Sequence, residues 1–425
     1  MISHNIQPLL NKTYIKADRA QGIYIFDKAG NRYLDGSSGA VTCSLGHSHG
    51  AMLEFMKQQV NKLQFVYRSQ FGSDEAEQLA AKLFNLSPQK AHAHTFFVNS
   101  GTEAIETAMK IALQYWQEQG QPDKKHFVSR WKSYHGITMA ALSLSGHPLR
   151  RQRFENSLEK YPSLYADLEK DTLEIQTKEF INVIETIGAK HIAAFVAEPM
   201  VGAAGTVLTP QEDYYREMRK ICDEYNILFI ADEVMTGLGR TGKWFAMEHW
   251  QTNADIVTIG KSLGAGYAPI AATMMTEKVL EPIKKGSGLI MSGHTYSGHP
   301  LSCATAHKVL EIVEGDQLLD NVFKRGTQIK KELTSLQKKY SFMDVVRGKG
   351  LMLGVEFTPA IKGLQSKFID ACFKNGLLVY PAVGGPHGKD ENGIIVSPPF
   401  IITSEESDEL LQKFDQSLHE VSRAF

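Results

Sequence analysis

From about residue 50 to residue 310, short apolar runs alternate with stretches whose apolar positions recur at helical spacing. HTFFVNS, HIAAFVAEP, ILFIADEV and DIVTIG are the clearest strand candidates, each followed by Gly, Pro or polar residues. AMLEFMKQQVNKL and EAIETAMKIALQYWQEQG lie among them as helices, the second ending in a glycine. Strands alternating with helices predict a mainly parallel sheet covered by helices on both faces. The flanks differ. GIYIFDKAGNRYLDG reads as a hairpin around a Lys-Ala-Gly-Asn turn. Beyond residue 310 the order becomes helix, strand (GLMLGVEF), helix, strand (GLLVYP) and a final helix. This predicts a large domain over 56–310 and a smaller one built from 1–55 and 311–425. Residues 381–393, rich in Gly and Pro, read as the clearest loop.

Composition narrows the function classes. The chain has 425 residues and a formal net charge of -1, so no general attraction to nucleic acid or membrane follows. No apolar run approaches the ~20 residues of a membrane helix, and the first residues do not read as a signal peptide. Cys43, Cys222, Cys303 and Cys372 are scattered without a Cys-x-x-Cys pair, which fits a reducing cytoplasm better than disulfides or structural zinc. His47/His49 and His92/His94 lack a neighbouring carboxylate cluster, so no metal site is expected.

Gly237-Leu-Gly-Arg-Thr-Gly242-Lys243-Trp244 matches two phosphate-binding patterns on paper. A dinucleotide site needs its glycines directly after the strand, but Asp232 and Glu233 come first. A nucleotide loop needs a hydroxyl where Trp244 stands. A plain Gly-rich turn accounts for the segment better.

Four strand ends deliver groups that belong together. Asn99-Ser100-Gly101-Thr102 opens a helix, and free N–H groups there suit a phosphate; Ser100-x-x-Glu103 is equally a capping box. Asp232 ends ILFIADEV, where open α/β sheets bind ligands. Lys261 follows DIVTIG and precedes glycines, and a lysine desolvated there can act as an amine nucleophile. Ser133-Tyr134-His135-Gly136 sets an aromatic ring after KKHFVSRW. Taken singly, each residue has an ordinary structural explanation. Together they match what pyridoxal 5'-phosphate (PLP) requires: a lysine, an acid for the pyridine nitrogen, a phosphate cradle and a stacking ring.

ILFIADEV, then Gly-x-Gly-Arg-Thr-Gly, then DIVTIGK is similar to the signature of the class III (ω-) aminotransferases, and the resemblance runs from about Gly22 to the C-terminal helix. It implies PLP fold type I: an α/β large domain with a mainly parallel seven-stranded sheet, plus a smaller α+β domain from both chain ends. It implies that Lys261 holds the cofactor's aldehyde and Asp232 pairs with its ring nitrogen. Val234 and Tyr134 then lie on the two ring faces, and Ser100, Gly101 and Thr102 bind phosphate. His135 and Glu198 stand close by. Thr295 occupies the position that reaches the partner subunit's cofactor, which implies a homodimer. The implied substrates are a small amine donor and a keto-acid acceptor. An aminomutase, racemase or decarboxylase would share Lys261 and Asp232, and a non-catalytic binding protein is the rival from another class.

Three departures bear on substrate. Ornithine, acetylornithine and γ-aminobutyrate enzymes of this family commonly carry a Glu where this chain has Ala203, and an Arg where it has Ile395, before Pro398-Pro399. Losing both together is consistent, because the acid without its arginine would be an unpaired charge in a dry site. Met235 replaces a common Gln. The pattern is closer to amine:pyruvate and related ω-aminotransferases, which leaves substrate choice to Ala203, Val41 and 381–393. Candidate carboxylate binders are His387 and Lys389 in that segment, with Arg68, Arg150, Arg151 and Arg153 elsewhere.

Overall fold

The computed structural model describes residues 4–385 and 388–423. Strands β1 (Ala17–Gln21), β2 (Tyr24–Asp27) and β3 (Arg32–Asp35) form an N-terminal antiparallel meander, with the expected hairpin at β2–β3. The central sheet holds β4 (His94–Val98), β5 (His126–Arg130), β6 (Ser163–Leu164), β7 (Ile192–Ala197), β8 (Leu228–Asp232), β9 (Ile256–Ile259) and β10 (Ala271–Met275). Its order is β4-β10-β9-β8-β7-β5-β6. Only β10 runs antiparallel to its neighbours. The link from β9 to β10 carries one short turn of helix and is too short for the crossover a parallel return requires.

Both faces of this sheet are covered, which is why its strands read as continuous apolar runs. On β7, Phe195 and Ala197 join one core while Ala194 and Val196 join the other. Neighbouring β8 repeats the division, with Phe229 and Ala231 on one side and Leu228 and Ile230 on the other. A third core unites the chain ends: Ile23 and Leu34 pack with Phe357, Phe368 and Phe414. Helices Gly50–Lys62 and Pro300–Gly315 run across positions 55 and 310, and the second places residues in two cores. No helix among the described residues is long and apolar enough to cross a membrane.

The C-terminal part adds β11 (Met343–Lys349), β12 (Met352–Phe357), β13 (Leu377–Leu378), β14 (Tyr380–Gly384) and β15 (Asp390–Val396). Strand β13 pairs in parallel with β3 and ties the two ends together. The expected loop over 381–393 is instead most of an antiparallel hairpin, β14 against β15, with Ala382 opposite Gly393. Gly393 marks close approach inside a strand, where a Cβ would lie 1.9 Å from Thr206 Oγ1, while Gly385 and Gly388, both at positive φ, belong to the connection. His387 lies outside the described residues, and Lys389 is exposed at the hairpin tip. Strands β1, β10, β11 and β15 carry no strong signal of their own in sequence. Residues 237–244 form the expected plain turn, closed by Leu238 N donating to Trp244 O and Gly239 N to Lys243 O.

Candidate active site

The carboxyl ends of the parallel strands converge, as open α/β sheets require of a ligand site. There Gly101, Thr102, Tyr134, His135, Gly136, Glu198, Asp232, Val234, Met235 and Lys261 line a cavity of about 190 Å³. Eight of the ten expected site residues are among them. The two outside are Ser100 and Thr295.

Ser100 caps the helix Gly101–Glu118. Its hydroxyl accepts from Glu103 N while Glu103 Oε2 accepts from Ser100 N, so the capping box is formed. The next amides, Gly101 and Thr102, begin the helix, have no carbonyl one turn back, and border the cavity. Gly101 is required here for packing: a Cβ would sit 2.6 Å from Val234 Cγ1. Thr102 Oγ1 accepts from Ile137 N at 3.1 Å and fixes the loop that follows His135 and Gly136.

Asp232, buried at the end of β8, accepts hydrogen bonds at both oxygens. Oδ1 receives Val234 N at 3.1 Å and the Thr258 hydroxyl at 3.2 Å, and Oδ2 lies 2.8 Å from His135 Nδ1. Thr258 stands opposite Asp232 in the β8–β9 register. His135 Nε2 is buried without a partner among the described residues. The structure thus makes His135 a support of Asp232 as well as a cavity wall. Glu198 accepts from Tyr134 N and Gly202 N. Burial raises the proton affinity of its carboxyl, opposed by His135 and reinforced by Asp232.

Lys261 follows β9 with φ of +43°, a strained value for a lysine. No hydrogen bond or ion pair holds its amine among the described residues. Burial lowers its pKa below the ordinary lysine value, against the opposing charges of Asp232 and Glu198 and with help from Arg150. An unpaired, desolvated amine, a buried acid anchored by three donors and an open helix start suit PLP's aldehyde, ring nitrogen and phosphate.

The substrate candidates divide. Met235 lines the cavity beside Gly202, where a Cβ would meet its sulfur at 2.3 Å. Ala203 is buried behind it and accepts from Val383 N of β14. Val41 is fully buried in the core and does not line the cavity. Arg151 is consumed by the carbonyls of Leu142, Ser143 and Ser145, while Arg68 donates once to Ser292 O and packs on the Phe96 ring, outside the cavity lining. Thr295 is exposed and does not line its own chain's cavity. Two supports were not legible in the sequence: Thr258, set opposite Asp232 by the β8–β9 register, and Ser145, at the end of helix Met139–Leu144, whose hydroxyl receives His135 N; both pairings are set only on folding.

A sheet of this order with a free lysine at its carboxyl edge defines a PLP-dependent enzyme of fold type I. The chain belongs to the class III aminotransferases: the family model described as aminotransferase class-III matches residues 7–418. A Bacillus subtilis (strain 168) protein named uncharacterized aminotransferase YodT is 46% identical, over 100% of this chain and 99% of its own. The chloroplastic gamma aminobutyrate transaminase 3 of Solanum lycopersicum is 34% identical over 98% of this chain and 81% of its own. Among solved structures, a transaminase from the marine bacterium Virgibacillus superposes with a TM-score of 0.94 at 30% identity, covering 99% of this chain and 98% of its own. An amine transaminase from an uncultivated Pseudomonas species, in its PLP-bound form, gives 0.92 at 31% identity over 99% of both chains.

Proposed function

We propose that this aminotransferase takes an amino group from an ω-amine, ω-amino acid or β-amino acid and passes it to pyruvate, in a ping-pong cycle. The observation that carries the reading is the Lys261 amine, unpaired and desolvated beside Asp232 and Glu198. Lys261 holds the cofactor, and Asp232, backed by His135, meets its ring nitrogen. Tyr134 and Val234 cover the ring faces. Gly101 and Thr102 bind the phosphate through the helix start that Ser100 caps. PLP, when bound, supplies an electron sink for the carbon that loses its proton. Lys261 Nζ takes that proton, and burial favours its neutral, proton-accepting form. Glu198 holds the Tyr134 backbone and so sets the ring's position.

Two features favour a donor bound without the family's acid–arginine pair, and pyruvate as the acceptor. Ala203 and Ile395 replace an acid and an arginine, and the solved neighbours include an amine transaminase and an (S)-enantioselective omega-transaminase from Thermomicrobium roseum. We place the enzyme in the cytoplasm as a homodimer. Its four free cysteines suit a reducing compartment. The exposed Phe65, Tyr67, Met291 and Tyr296 give the face around Thr295 an apolar surface suited to a second copy.

The test is a donor panel. Cofactor-loaded enzyme is mixed with each amine, freed of excess donor, and then given pyruvate. Alanine formed in proportion to the first-step colour change supports the reading. Colour change without alanine, or decarboxylated or isomerised product, overturns it.

A further inference from the structure

With no arginine before Pro398-Pro399, the binder of the substrate's carboxylate must come from elsewhere, and the cations around the cavity can be sorted by their partners. Arg130 is buried against Tyr215 and the Glu198 carbonyl. Arg151 is fixed on three carbonyls, Lys132 on Asp167, and Arg347 on Glu169 and Glu356. Arg150 is different. It belongs to the short helix Pro148–Arg151, and with Arg151 anchored inward its side chain turns to the cavity's own wall. Its Cζ stands 4.5 Å from the centre of the Tyr134 ring, and Nη1 donates to the Tyr134 hydroxyl at 3.3 Å. Tyr134 lines the cavity, so the guanidinium lies at its rim.

A guanidinium has five N–H donors in a planar fork. One of Arg150's is engaged, by a neutral phenol, and no carboxylate pairs with Arg150 among the described residues. Its charge reaches the reacting lysine, since it lowers the proton affinity of Lys261, and it does the same to His147. Gly388, between β14 and β15, approaches the start of the helix that carries Arg150: a Cβ there would lie 3.8 Å from Pro148 Cδ.

Resting on the aminotransferase reading above, we propose that Arg150 binds the carboxylate of the keto-acid acceptor and of amino-acid donors, held in place by the face of Tyr134. The fork offers a bidentate pair to one carboxylate, which suits monocarboxylates such as pyruvate and alanine. A carboxylate-free amine makes no use of it.

The test has two arms. In the first, cofactor-loaded enzyme is titrated with propionate, which has a carboxylate but no amine, and binding is read by saturation-transfer NMR. Arg150→Gln is expected to weaken propionate about tenfold to a hundredfold, the range for a hydrogen-bonded charge, with Arg150→Lys between. Undiminished propionate binding in Arg150→Gln, or no saturable binding in the wild type, overturns the proposal. In the second, the ratio of kcat/KM for L-alanine to that for 1-phenylethylamine is compared. It is expected to fall at least about tenfold in Arg150→Gln, and an unchanged ratio overturns the proposal. Propionate binding lost with Arg150 in a protein that transaminates no donor would leave the site assignment standing and remove the reaction reading.

Discussion

His135 Nδ1 lies 2.8 Å from Asp232 Oδ2, both side chains sealed from solvent. The contact spans β7: His135 follows β5, and Asp232 ends β8. Asp232 therefore meets the cavity with its orientation fixed by His135, Thr258 and its own following backbone. Replacing His135 with Phe leaves one carboxylate oxygen without its partner. The expected result is a loss of about tenfold to a hundredfold in the single-turnover rate, the scale of one hydrogen bond to a charged group. Stopped-flow absorbance of the first half-reaction measures it. A rate within twofold of wild type would show that Asp232 needs no such support.

Gly101→Ala tests the packing of the helix start on Val234. Its new Cβ would fall 2.6 Å from Val234 Cγ1, so one of the two must shift. Overpacking of this kind costs about 1–3 kcal/mol and displaces the amides expected to hold phosphate. Cofactor retained after gel filtration should fall, and retention equal to wild type would show that the helix start absorbs the clash without moving those amides.

Glu233 makes stability depend on pH. Buried against Met247 N and Ala246 N, it has its pKa raised from 4.5 to about 7 by desolvation, partly offset by those amides. The native state thus holds a proton that the unfolded chain gives up. Its contribution is most favourable below about pH 4.5 and declines as pH rises to about 7, by about 3 kcal/mol. Glu233→Gln lacks this titration. The wild-type thermal midpoint should fall relative to the variant between pH 5 and 8, and a constant difference would contradict the assignment.

Arg151→Ala should act on stability. Three carbonyl bonds are lost from a buried guanidinium, and the turn that carries Arg150 loosens. A drop of about 2–4 kcal/mol is expected from an unsatisfied buried network. Urea denaturation measures it, and a change within 0.5 kcal/mol, about the size of a neutral surface substitution, would contradict the structural role.

The parts of the site that sit at strand ends were legible in the sequence. Lys261, Asp232 and Gly101 each follow an apolar run, and the sheet brings such ends together whatever its register. What depends on register or on side-chain direction was not legible. His135 reads as a neighbour of Tyr134 and proves to be a partner of Asp232. Arg150 and Arg151 look equivalent in sequence, yet one turns inward to carbonyls and the other outward to a ring. The β14–β15 hairpin was hidden by its glycines: Gly393 lies inside a strand in close contact with Thr206, while Gly385 and Gly388 belong to the connection.

Lys261 is the lysine we propose to hold the cofactor. Borohydride reduction of the cofactor-loaded protein, followed by digestion and mass spectrometry, tests it directly. The added cofactor mass is expected on the peptide containing Lys261, and nowhere in Lys261→Ala. The mass on another lysine, or equal labelling in Lys261→Ala, would contradict it.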